Sequence, residues 1–163
     1  MGPSDFLLAA ATCAVMACSM DPAAELEAGF RALDGGRPAL AREHFEQVLA
    51  RLPGNDHRHL QARLGTLAAD CSEKFGEPQD EFLLLAKAEP ERIGVREFLE
   101  MTGWLVSSRR YKEALAVLDA GLVGKYPDSS LLASQRVSVQ SEWLRNRPVV
   151  GTLRSLCSYG QRD

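Results

Sequence analysis

The sequence predicts an all-α fold: a short α-solenoid of about three helix-turn-helix pairs closed by a C-terminal capping helix. Three observations lead there. Ala, Leu, Glu and Arg dominate while alternating β-branched runs are nearly absent, a composition that favours helix over strand. Apolar residues recur at three- and four-residue steps between Gly and Pro stops, the pattern of short amphipathic helices. A helix-turn-helix pattern near the start also returns 73 residues later, Ala41 against Ala114, and such self-similarity marks stacked repeats.

The opening pair is GFRALDGGRPALAREHFEQVLARLP, residues 29–53. Ala28, Phe30, Ala32 and Leu33 give apolar surface to a first helix over about residues 23–33, which ends at Asp34-Gly35-Gly36. Glycine closes a helix with a left-handed residue at little steric cost. Pro38 suits the first turn of a second helix, where a missing N–H has no partner to lose. Ala41, Phe45, Val48, Leu49 and Leu52 form its stripe, and Pro53-Gly54-Asn55 stops it. Two short helices cannot cover their own apolar flank, so further helices must stack on it.

The middle copy is degenerate. Leu64-Gly65 and Ala68 repeat the spacing of Ala28-Gly29 and Ala32. This helix runs to about Lys74, before Gly76-Glu77-Pro78. The next, over about residues 79–88, carries Phe82, Leu85 and Ala88 and stops at Pro90. In the third copy Phe98, Met101, Thr102 and Leu105 supply the first helix. Tyr111, Ala114, Leu118 and Gly121 supply the second, and Pro127 closes it. A last helix over residues 128–146, capped by Asp128 or Ser129, carries Leu132, Val139 and Trp143 and covers the open end of the array. Pro148 then begins a short amphipathic segment with Val149, Val150, Leu153, Leu156 and Cys157, expected to fold back on the cap.

With this pattern the chain resembles a tetratricopeptide repeat (TPR) protein, over about residues 22–127. That family repeats every 34 residues, with small residues where helices cross and a proline after the second helix. Gly29, Ala41 and Gly65 match the small positions, Phe45 the aromatic one and Pro53 the closing proline; Tyr111, Ala114 and Pro127 match in the third copy. The early Trp of the family is replaced by Glu25, Gln61 and Phe98. The resemblance implies a concave face built by the first helix of each pair, able to take a peptide or a partner's helix. Residue by residue it would comprise Leu26, Phe30 and Leu33, then Thr66 and Asp70, then Leu99 and Val106. The alternative is that these side chains only pack against neighbouring helices. The Lys, Asn and Arg set with which some members clamp a C-terminal carboxylate is absent.

The N-terminus carries a second signal. Residues 6–17, FLLAAATCAVMA, are uncharged and too short to span a bilayer, but they match the apolar region of an export signal. Val15-Met16-Ala17-Cys18 resembles the lipobox of bacterial lipoproteins, which implies cleavage before Cys18 and lipid attachment to its thiol. The expected organisation is a signal peptide at 1–17, a tether at 18–22, a helical domain at 23–146 and a tail at 147–163. The leader MGPSDF holds no Lys or Arg, which keeps open an uncleaved N-terminal helix on a cytoplasmic adaptor.

Chemistry is sparse. A net charge of −3 with no basic cluster argues against nucleic acid. His44, His57 and His59 could serve an envelope metal carrier, but no Cys, Asp or Glu stands at the spacing of a known site. Ser107-Ser108 and Ser129-Ser130 lack an activating His, and Gly35-Gly36 lacks the Lys-Ser/Thr of a phosphate loop. Cys71 and Cys157 could pair in an oxidising compartment, or Cys71 could be a small buried hydrophobe. The expectation is a non-catalytic interaction or assembly module with no cofactor, anchored to the bacterial envelope through Cys18, with a protein or peptide partner.

Overall fold

The computed structural model describes residues 21–124 and 126–146. The leader, Cys18 and the tail with Cys157 lie outside the described residues. Seven α-helices and no strand occur among those described: α1 Pro22–Asp34, α2 Pro38–Arg51, α3 His57–Glu73, α4 Pro78–Ala88, α5 Val95–Ser107, α6 Tyr111–Val123 and α7 Ser129–Asn146. The fold is all-α and repeat-like, and the expected helix boundaries hold to within one residue at most ends. Two compact units divide the chain between Leu84 and Leu85, inside α4.

In the first unit α1 packs on α2, α2 on α3, and α1 also on α3. Asp21 caps α1 by accepting from the Ala23 N–H at 3.1 Å. The helix closes at Gly36, φ +67, as the Arg37 N–H bonds the Ala32 carbonyl at 2.8 Å and the Gly36 N–H bonds Leu33 at 2.9 Å. This is the paired-bond helix ending that favours a left-handed glycine. Leu52 is extended, as the residue before a proline must be. Asp56 caps α3 through the Arg58 N–H at 2.8 Å, and α3 ends on Lys74, itself left-handed at φ 55.

Leu26, Ala32, Ala41, Phe45, Val48 and Ala62 form the core of this unit. Phe45 is wholly buried, its ring seated between a glycine of α1 and a glycine of α3. A Cβ at Gly29 would stand 2.5 Å from the ring carbon Cε1, and one at Gly65 would overlap Cζ and lie 2.6 Å from Cε2. Both glycines are therefore required by close approach, and the burial of the ring stabilises the unit by roughly 2–3 kcal/mol.

The second unit repeats the arrangement with α5, α6 and α7, each packed on the other two. Glu97 folds back to accept from the Gly94 N–H at 2.8 Å, which satisfies an open donor at the start of α5. Phe98, Met101, Thr102 and Leu105 are all buried, as are Ala114, Val117, Leu118 and Gly121 of α6. Size is distributed the other way round here. The glycine, Gly121, lies on the middle helix, and bulk comes from the flanking ones: its Cβ would meet Phe98 and Leu132, each at 2.9 Å. Asp128 precedes α7 at φ 62, and its carbonyl accepts from the Leu131 N–H at 2.9 Å.

Candidate partner-binding site

The residues expected on a concave face fall in quite different surroundings. In the first unit Leu26 belongs to the core, 8% exposed. Phe30 and Leu33 are half-buried against that core, the Phe30 ring standing edge-on to Phe45 at 5.1 Å. The Thr66 hydroxyl donates to the Ala62 carbonyl at 3.0 Å, a bond within its own helix. Asp70 is held by Arg42 of α2 at 2.5 Å, and the same guanidinium reaches Glu73 at 2.6 Å and lies over the Phe75 ring, 5.6 Å from its centroid. Partial burial works against the charge on Arg42, but the bonds to Asp70 and Glu73 outweigh it and raise the pKa above its ordinary value. This group ties α2 to the end of α3.

Glu25 stands where the repeat pattern has an aromatic residue, and it is 1% exposed. Its carboxylate bonds His44 Nδ1 of α2 at 2.7 Å. His44 thus has a structural partner, while His57 is exposed and His59 half-buried in the first turn of α3. Among the described residues no three His, Cys, Asp or Glu side chains are grouped to hold a metal ion. Cys71 is wholly buried in α3. Among the described residues no helix is long and apolar enough to cross a membrane.

Among the described residues of the second unit, two hollows each contain one of the residues singled out in the sequence. Leu99 lines a recess of about 390 Å³ with Leu131 and the charged Arg96, Glu100 and Asp128. Val106 lines a larger cleft of about 570 Å³, within the range of ordinary ligand sites. Three helix ends meet there. Val106 and Ser107 come from the last turn of α5, Arg109 from the turn, Tyr111 from the start of α6, and Glu142, Trp143 and Asn146 from the end of α7.

Hydrogen bonds fix the polar part of that lining. The Tyr111 hydroxyl donates to Glu142 Oε1 at 3.0 Å and accepts from Asn146 Nδ2 at 3.1 Å. Ser107 donates to the Trp104 carbonyl at 2.8 Å, so its hydroxyl proton is engaged with the backbone. The α5–α6 turn reproduces the α1–α2 turn bond for bond: the Arg110 N–H meets the Leu105 carbonyl at 2.8 Å and the Arg109 N–H meets Val106 at 2.9 Å. The left-handed residue, Gly36 in the first unit, is here Arg109 at φ 62. Its side chain is exposed and finds no carboxylate among the described residues, whereas Arg110 pairs with Glu113 at 3.4 Å. A guanidinium, two aromatic rings and fixed acceptors in one hollow provide recognition chemistry.

Of the cleft, sequence reasoning had picked out Val106 for binding and Tyr111 for packing. It missed Arg109, Glu142 and Asn146, and it assigned Trp143 only to the cap. The available signal was the 73-residue spacing, which sets Arg109 against Gly36. No family model matches the chain, and no curated protein or solved structure matches it either.

Proposed function

We propose that the chain is a non-catalytic protein-interaction or assembly module built on TPR-like repeats and held on a bacterial envelope membrane through Cys18. The observation that carries the interaction reading is the cleft at Val106, where half-buried Trp143 and Tyr111 lie beside an exposed guanidinium. Trp, Tyr and Arg are the residue types that dominate binding energy at protein interfaces. The anchoring part rests on the Val15-Met16-Ala17-Cys18 sequence, since a diacyl group plus an added acyl chain holds a protein stably where one chain is marginal.

Two experiments test the two parts separately. A photo-crosslinking amino acid at Val106, compared with one at exposed Lys87, should trap a discrete partner in the native host. Equal or absent crosslinking at the two positions refutes the interaction site. Intact mass of the expressed protein should show a species beginning at Cys18 with added acyl mass, lost in Cys18→Ala. An unmodified chain retaining residues 1–17 in the native host would replace the anchored reading by that of a cytoplasmic adaptor.

A further inference from the structure

We infer that the cleft at the α5–α6 turn recognises an extended peptide that carries both an acidic side chain and an aromatic or branched apolar one. The inference rests on the interaction-module reading and names the partner chemistry of that same site. Three features carry it.

The first is charge. Arg109 lines the cleft, and Lys112 and Arg145 flank its lining residues Tyr111 and Asn146 in sequence; all three are exposed. None has a carboxylate partner among the described residues. The nearby acids are engaged, Glu113 with Arg110 and one oxygen of Glu142 with Tyr111. The exposed Arg109 guanidinium is the cationic group of the lining, and a guanidinium binds a carboxylate through two parallel bonds.

The second is the backbone of Arg109. Glycine fills the same turn in the first unit without strain, while a residue with a side chain holds the left-handed conformation at a cost. Lys74 and Asp128 are left-handed too, so the strain alone does not mark a site; at Arg109 it coincides with a hollow and a charge that has no carboxylate among the described residues.

The third is the division of the remaining lining. Half-buried Trp143 and Tyr111 with Val106 supply an apolar floor for one side chain. The second oxygen of Glu142 and the amide oxygen of Asn146 remain as acceptors for peptide N–H groups, with Tyr111 holding both residues in place. Those acceptors suit a main chain, and the Glu142 charge repels acid from its own side, so the peptide's acid is directed to Arg109.

The test is selection of a random twelve-residue displayed peptide library on the full chain, followed by binding of the enriched peptides in solution. Acid-plus-aromatic or acid-plus-branched sequences should be enriched. Their affinity should fall about tenfold or more in Arg109→Gly and further in Arg109→Glu, and it should weaken as salt rises. Arg109→Gly relieves the turn, so unfolding cannot produce that loss. Enriched peptides without an acid, or with affinity indifferent to Arg109→Gly, overturn the inference and leave the interaction module standing. Capture that appears only in a Leu153→Asp, Leu156→Asp variant also overturns it, by making the chain's own C-terminal stretch the occupant. No enrichment together with no crosslink from Val106 removes both readings.

Discussion

Removing His44 should strand a buried carboxyl group, and the size of the effect can be worked from the structure. Glu25 is 1% exposed, and His44 Nδ1 bonds its carboxylate at 2.7 Å. Removal of one partner from a fully buried pair costs about 3–5 kcal/mol where the pair is ionised and about 1–3 kcal/mol where it is a neutral hydrogen bond. Here the imidazole is 22% exposed, so water can enter from its side, and His44→Val should cost less than the ionised case, about 2–3 kcal/mol. The chain itself suggests the repair. Positions 98 and 117, 73 residues on from 25 and 44, are Phe and Val, both buried. An apolar pair therefore fits equivalent positions, and Glu25→Leu combined with His44→Val should return to within about 1 kcal/mol of the parent, since well-packed apolar replacements of buried ion pairs are near neutral. Urea unfolding followed by circular dichroism reads the cycle. With a slope of about 2 kcal/mol per M, the single variant should unfold about 1–1.5 M earlier and the double variant close to the parent. A His44→Val midpoint unmoved by more than about 0.3 M would show that water, not His44, compensates Glu25. A double variant as unstable as the single one would show that packing, not charge, decides the site.

Gly65→Ala should destabilise by about 1–3 kcal/mol, because its Cβ overlaps the Phe45 ring; thermal unfolding checks this, and partial rescue by Phe45→Leu would identify the ring as the obstacle. Lys74→Gly and Arg109→Gly should each stabilise by about 0.5–1 kcal/mol, since both residues are left-handed at helix ends, and a lowered denaturation midpoint in either would contradict the turn geometry. The bonds from the Arg58 side chain and N–H hold Asp56 down to about 2 from an ordinary 3.8. A depressed carboxylate contributes stability that is complete above its unfolded pKa and is lost as pH falls through the folded one. Asp56→Asn should therefore be less stable than the parent at pH 6 and converge with it near pH 2, and a stability difference that does not change between those values would refute the cap pairing.

Much of the fold was legible because its punctuation is local. Gly35-Gly36, Pro38, Pro53, Pro78 and Pro90 act on the one or two residues beside them, and the helices start or stop there. The Gly29, Phe45 and Gly65 contact was legible only in part: the repeat pattern marked all three as packing positions, but it did not seat the Phe45 ring between the two glycines. Side chains whose partners come from another helix were harder to read. Asp70 looks like a polar residue of an open face, yet Arg42, 28 positions earlier, takes its carboxylate. Glu25 takes the early Trp position of the repeat pattern without a visible partner in the sequence, and only His44 on the next helix makes its burial tolerable. The cleft was invisible for the same reason, being made where the end of α7 returns to the α5–α6 turn.

Comparison of the two copies separates packing from function more sharply than either copy alone. Where the copies share a backbone but differ in residue, the difference should be compensated nearby if it serves only the fold. Glu25 against Phe98 is compensated, since His44 against Val117 changes with it. Val48 against Gly121 is compensated as well: the side chain lost from the middle helix is replaced by the approach of Phe98 and Leu132. Gly36 against Arg109 is not. The hydrogen bonds of the turn are unchanged, the strain is greater, and the added guanidinium has no carboxylate among the described residues to justify it. A substitution that costs the fold and gives it nothing in return is the one to test for a role outside the fold, and Arg109 is that residue.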